Sequence, residues 1–203
     1  MLYPLPAVLV SVADSSGNSN LFTVAWAGTV CSDPVMVSIS VRRERFSYEM
    51  ISQTGEFVIN LTTEALCRAT DFCGVRSGRD LNKWEAMHLT QEKADLVNAP
   101  MVGESPVNLE CRVKEIRDLG SHTMFLAEVV AVHAEEEYMD QDRHFHLDWA
   151  KPIVYSHGSY YALGQKIGTF GYSVKKQEPA VKKEQKKRNE NRKDNKRIKK
   201  ETG

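Results

Sequence analysis

The sequence has no run of about 20 apolar residues, the length a helix needs to span a bilayer, so it offers no membrane helix. It has only four cysteines, Cys31, Cys67, Cys73 and Cys111, and no CxxC, which excludes a zinc ribbon or a thioredoxin-like redox pair and leaves free, mostly buried thiols. Neither GxGxxG nor GxxxxGK[ST] occurs, so a nucleotide here is not held by a Rossmann unit or a P-loop. The start, MLYPLPAVLVSV, has no charged leading region and no small-residue cleavage site, and it alternates like a strand. A cytoplasmic protein is therefore expected. No activating partner stands near any cysteine in sequence, which gives no nucleophile. Two histidines, His144 and His146, alternate on one face of an extended segment with carboxylates nearby; in a polar loop this is read as incidental, and no metal is expected.

The formal charge is zero, but it is unevenly spread. From Lys175 on there are 13 Lys plus Arg against 5 Asp plus Glu, leaving 14 against 22 in the remainder, so a tail of +8 follows a body of −8. The tail has no aromatic residue and, of large aliphatics, only Val181 and Ile198. It cannot bury enough surface to offset its ordering entropy, which predicts disorder or an exposed fluctuating helix over 175–203. A basic tail can bind nucleic acid, but the interspersed Glu184, Glu190, Asp194 and Glu201 argue against that partner.

Residues 1–174 are long enough for one domain with a substantial core. Ala7 to Val12 reads as a strand ended by the turn-forming Asp14-Ser15-Ser16-Gly17-Asn18. Leu21 to Val30 and Val35 to Val41 read as a strand pair around Cys31-Ser32-Asp33-Pro34. A helix capped by Ser47 and stopped at Gly55 follows, then a strand, Glu56 to Leu61, and a helix from Thr62-Thr63 to Phe72. Cys73 to Asp80 is a loop with two glycines and two arginines, and Lys83 to Met87 is a short helical piece. Thr90 to Pro106 reads as a surface excursion. Val107 to Ile116 alternates, predicting Val107, Leu109, Cys111 and Val113 inward and Asn108, Glu110, Arg112 and Lys114 outward. Thr123 to His133 reads as a more central strand. Ile153 to Ser156 and Tyr160 to Leu163 form a final block. Gly164, Gly168 and Gly171 then punctuate a segment expected to wrap the barrel, anchored by Phe170 and Tyr172.

Within Leu21 to Tyr48, small and hydroxyl residues (Thr23, Ala25, Ala27, Gly28, Thr29, Cys31) interrupt the apolar ones, a pattern that lets a ligand approach the backbone closely. The basic loop Arg42 to Arg45 follows, and Arg45 with Ser47 stands at a helix start, where anions are favoured. A flat ligand carrying a phosphate fits both halves. Tight sheet packing and a solvated Arg loop account for the same residues without any ligand.

These residues, with EFVINL (Glu56 to Leu61), FCGVRSGRDLNKW (Phe72 to Trp84), SPVNLEC (Ser105 to Cys111) and YSHGSYYALG (Tyr155 to Gly164), resemble the flavin reductase-like family of FMN-binding split barrels, near its flavoredoxin-type members. The resemblance spans about Leu5 to Val174. It implies a mainly β fold, an antiparallel split barrel with short helices, that binds FMN. It carries the ring and ribityl contacts onto Ala25, Trp26, Thr29, Val30 and Cys31, and the phosphate contacts onto Ser40, Val41, Arg45 and Ser47. Many relatives have Asn or Ser where this chain has Ala25 and Cys31, so backbone groups carry more of the contact here. The implied activity is that of a flavin reductase fed by NADH or NADPH, or of a flavoredoxin-like carrier passing electrons to an unidentified acceptor. The cofactor supplies the chemistry, so no catalytic side chain is expected. Arg79 and Lys83 are candidates for a nicotinamide phosphate, and His157, Tyr160 and Tyr161 for closing the pocket. Relatives are homodimers, which implies the same here. Two alternatives stand beside this reading: a pyridoxamine-phosphate-oxidase-like enzyme, and a non-catalytic module holding flavin or haem.

Overall fold

The computed structural model describes residues 2–174. Short β1 (Leu5–Pro6) leads into β2 (Val8–Ala13), whose six residues are all buried, and β3 (Ser19–Val24). Next come β4 (Ala27–Ser32), β5 (Val35–Val41), α1 (Phe46–Thr54), β6 (Glu56–Asn60), α2 (Cys67–Val75) and α3 (Lys83–Met87). The two-residue strands β7 (Gln91–Glu92) and β8 (Met101–Val102) precede long β9 (Val107–Asp118) and β10 (Thr123–Ala134). A hairpin of β11 (Ile153–Ser156) and β12 (Ser159–Ala162) completes the set.

The main sheet runs β3-β2-β6-β9-β10-β5-β4, a second runs β1-β11-β12, and β7 pairs with β8; the pairings are antiparallel. β-Branched and aromatic side chains from the curved sheet (Val10, Val12, Ile39, Phe57, Phe125) and Ile51 of α1 fill one core. With its few short helices this is the expected split-barrel architecture. Gly55 ends α1 at φ 66, donating to Ile51 O as its spacing predicts. Ser47 does not cap that helix: the N-cap is Arg45, and Ser47 is buried with its Oγ accepting from Asn20 Nδ2 at 2.7 Å.

Other expectations change as well. The strand expected over Leu21 to Val30 breaks at Ala25-Trp26, where the chain bends from β3 to β4. α2 starts later than Thr62-Thr63, after a turn in which Leu66 N donates to Thr63 O. On β9, Asn108 and Glu110 are buried instead of facing out, because the excursion after Thr90 folds back over that face and seats Ala94, Val97, Ala99 and Met101 against Val58.

The described residues 164–174 belong to a second unit. In its described part Phe170 and Tyr172, expected as anchors, are exposed, and a single 3-10 turn spans Tyr172–Val174. The tail from Lys175 lies outside the described residues.

Candidate functional site

The bend at Ala25-Trp26 makes the site. Two residues off the sheet register leave a notch between β3 and β5, and Ser40 N donates to Trp26 O at 2.9 Å across it. The notch opens into a cavity of about 370 Å³. Ala25, Trp26, Ser40 and Val41 form one wall. Asp71, Gly74 and Val75 of α2 form another, and Tyr155 and Tyr160 close a third. These tyrosines are cross-strand partners on β11 and β12, so the sheet puts both rings on one face, with centroids 5.6 Å apart.

His122, just before β10, lies parallel to Trp26 within 1°, with centroids 6.2 Å apart at the cavity wall. Tyr160 OH donates to Asp71 Oδ1 at 3.3 Å. Burial, and then the Asp71 carboxylate, push the Tyr160 phenol up to about 12, so it stays a neutral donor at ordinary pH.

A second cavity of about 500 Å³ adjoins the first, the two sharing Phe22, Arg42, Arg45 and Val75 in their walls. Five cations, Arg42, Arg45, Arg76, Arg79 and Lys83, line it against one carboxylate, Glu44. Two of the arginines are aimed by backbone oxygens and not by acids: Arg45 donates to Gly74 O at 2.8 Å, and Arg79 donates to Glu44 O at 3.1 Å while lying 5.2 Å from the Phe46 ring centroid.

Lys83 is only 3% exposed. Its Nζ donates to Cys73 O at 2.9 Å, and among the described residues no carboxylate pairs with it. Burial, reinforced by the charge of Arg45, pulls its ammonium down to about 8. Gly78 is required where it stands: a Cβ there would meet Asn20 Oδ1 at 2.1 Å, so only glycine lets the loop pack on the Asn20–Ser47 pair.

Ala25, Trp26, Ser40, Val41, Arg45 and Tyr160 thus line the first cavity, and Arg45, Ser47, Arg79 and Lys83 the second. Thr29, Val30 and Cys31 lie on edge strand β4, outside both walls, and Cys31 Sγ approaches Asp33 O at 3.5 Å. His157, in a left-handed turn at φ 49, packs on Tyr3 at 4.2 Å, and exposed Tyr161 faces away from its neighbour Tyr160. His146 does not face a cavity; its Nε2 is 2.8 Å from Asp140 Oδ2. Sequence reading missed His122, Asp71, Tyr155 and Arg76. Only Tyr155 carried a usable signal, the matched alternation of two short strands across His157-Gly158.

Residues 1–164 match the flavin reductase like domain. Among solved structures the chain is similar to the flavoredoxin of Desulfovibrio vulgaris (Miyazaki F), with 29% identity and a TM-score of 0.80 over 86% of this chain and 95% of that one. It is also similar to a flavoredoxin from Methanosarcina acetivorans, at 28% identity and a TM-score of 0.78 over the same shares. A protein of Archaeoglobus fulgidus is 30% identical over 139 residues, 68% of this chain and 77% of that protein.

Proposed function

The chain belongs to the flavin reductase-like domain family, and from that premise we propose that it is an FMN-binding oxidoreductase drawing electrons from NADH or NADPH. The observation that carries this is the buried Lys83 ammonium. A cation out of water without an acid partner costs several kcal/mol in general, and a ligand anion in the cavity it lines removes that cost.

The residues fit the cofactor. The first cavity, with polar and apolar lining in comparable measure, would take the tricyclic ring against Ala25 and Trp26, with Ser40 and Val41 at its edge. The phosphate would be held by Lys83, Arg45, Arg79 and the Ser47 hydroxyl, which accepts from Asn20 and so points its own proton elsewhere. Bound flavin supplies electron transfer between a nicotinamide donor and an acceptor. This chain's residues bind and orient. Trp26 and His122 flank the opening where a second planar ring would enter, and Tyr160, its proton donated to Asp71, presents an acceptor oxygen beside it.

A homodimer belongs to the same proposal. Edge strand β4 is unpaired on one side in the sheet order, and Val30 and Val35 beside that edge are exposed, a surface that folded proteins ordinarily cover.

The test is an absorption spectrum of the purified protein with FMN, followed anaerobically on adding NADH and then NADPH. A flavin spectrum bleached by either nucleotide supports a reductase. Bleaching by dithionite alone would leave an electron carrier fed by another protein. A colourless protein that does not retain FMN defeats the proposal.

A further inference from the structure

The basic cavity holds more positive charge than a flavin phosphate can match. Its walls carry five cations and one carboxylate, and a phosphate monoester brings only about −1.5 to −2 at neutral pH. The cations also differ in depth. Lys83 and Ser47 are buried, whereas the four arginines are exposed; Arg45 and Arg79 are held by backbone carbonyls, and Arg42 and Arg76 come from different elements, Arg42 from the residue after β5 and Arg76 from the residue after α2. Arg42 faces Glu44 at 3.6 Å in an exposed, screened pair, and Arg76 has no carboxylate partner among the described residues. Arg42 also lines the ring cavity, so it borders the path from one cavity to the other.

We infer that the cavity takes two anions at once: the flavin phosphate at its buried end on Lys83, and at its rim, between Arg42 and Arg76, the diphosphate of the nicotinamide donor. The inference rests on the flavin reading and adds the residues that recognise the second substrate. A nucleotide diphosphate inside the flavin itself, as in FAD, has the same chemistry. It carries about the same total charge as the FMN phosphate, however, and leaves the rim unmatched, so the charge balance favours a second molecule.

The experiment titrates ADP-ribose, which has the donor's diphosphate without its nicotinamide, into FMN-loaded protein by calorimetry. ADP-ribose binds the loaded wild type, and Arg76→Ala weakens it about tenfold or more, as loss of a charge-assisted contact does, while the FMN dissociation constant moves less than about twofold. Arg42→Gln repeats the pattern from a different element, which a local disturbance of the α2 end cannot do. Three results overturn the inference: ADP-ribose binding only flavin-free protein, rim variants that weaken FMN as much as ADP-ribose, or rim variants that weaken FAD and leave ADP-ribose unaffected. Failure of the wild type to bind FMN removes the flavin reading itself, and the two-anion site with it.

Discussion

Two surface segments of this protein handle buried charge in opposite ways. In the excursion after Thr90 everything is matched. Glu110, 0% exposed, takes Asp95 N at 2.9 Å and His133 Nε2 at 2.6 Å on one oxygen, and Leu96 N at 2.6 Å and Val97 N at 2.9 Å on the other. Asn60 Oδ1 accepts from Val102 N at 2.9 Å and from Asn108 Nδ2 at 2.7 Å, and Glu56 takes Asn98 N at 2.9 Å. In the segment from Cys73 to Lys83 the reverse holds: cations gather around an open cavity, and a buried ammonium has, among the described residues, one carbonyl for a partner. A buried charge with every bond satisfied is a fastener. One left incomplete is a socket.

Substitutions can break this contrast. Glu110→Ala leaves three backbone N–H groups without an acceptor and should cost about 3 kcal/mol or more of stability in urea unfolding. Its effect on FMN affinity should be small. Lys83→Met should do the opposite: FMN affinity falls about tenfold, while stability of the flavin-free protein changes by less than about 1 kcal/mol, because the uncompensated charge leaves with its carbonyl contact. If Lys83→Met destabilises as Glu110→Ala does, the segments do not differ in kind.

Acid and base should also separate them. Burial pushes the Glu110 carboxyl up, but the Asp95 N–H, His133 and the Leu96 and Val97 N–H groups together hold it below the ordinary carboxylate value. Its stabilisation is therefore complete above the unfolded value near 4.5 and is lost as pH falls through the lower folded value; Glu110→Gln should flatten that loss. Lys83 has the same sign in a different window, and there it is a penalty that is relieved instead of a stabilisation that is completed. The folded ammonium, at about 8 against 10.5 unfolded, binds fewer protons than the unfolded chain in between, so flavin-free protein gains stability from pH 8 to 10.5. FMN, which favours the charged lysine, should bind less tightly over the same rise, and Lys83→Met should remove that slope. The smallest effect is expected from Tyr160→Phe, which deletes one exposed-side hydrogen bond to Asp71 and should change FMN affinity less than about threefold.

Much of the barrel was legible because local signals agreed with it. β2, β5 and β10 are rich in β-branched residues, Gly55 stands where a left-handed stop is needed, and the basic loop comes straight after a strand. What failed to show depends on chain returning from far away. Asn108 and Glu110 sit on the polar half of a clean alternation, and nothing near β9 announces that residues 94–102 will cover them. The break at Ala25-Trp26 reads as continuous strand because its residues suit a strand; the Ser40 to Trp26 bond that fixes it comes from the next hairpin. Thr29, Val30 and Cys31, which the resemblance places beside the ring, follow Trp26 on edge strand β4 and do not line the cavity of the single chain. His122 reaches the cavity only because a long hairpin returns it beside β5.

The most direct measurement compares FMN with riboflavin, the same ring without its phosphate, by fluorescence titration of wild type and Lys83→Met at neutral pH. A basic cavity that recognises the phosphate predicts wild-type protein binding FMN at least about tenfold more tightly than riboflavin, with the gap largely closed in Lys83→Met. Equal affinity for the two flavins in wild type, or an unchanged gap in the variant, would contradict the account.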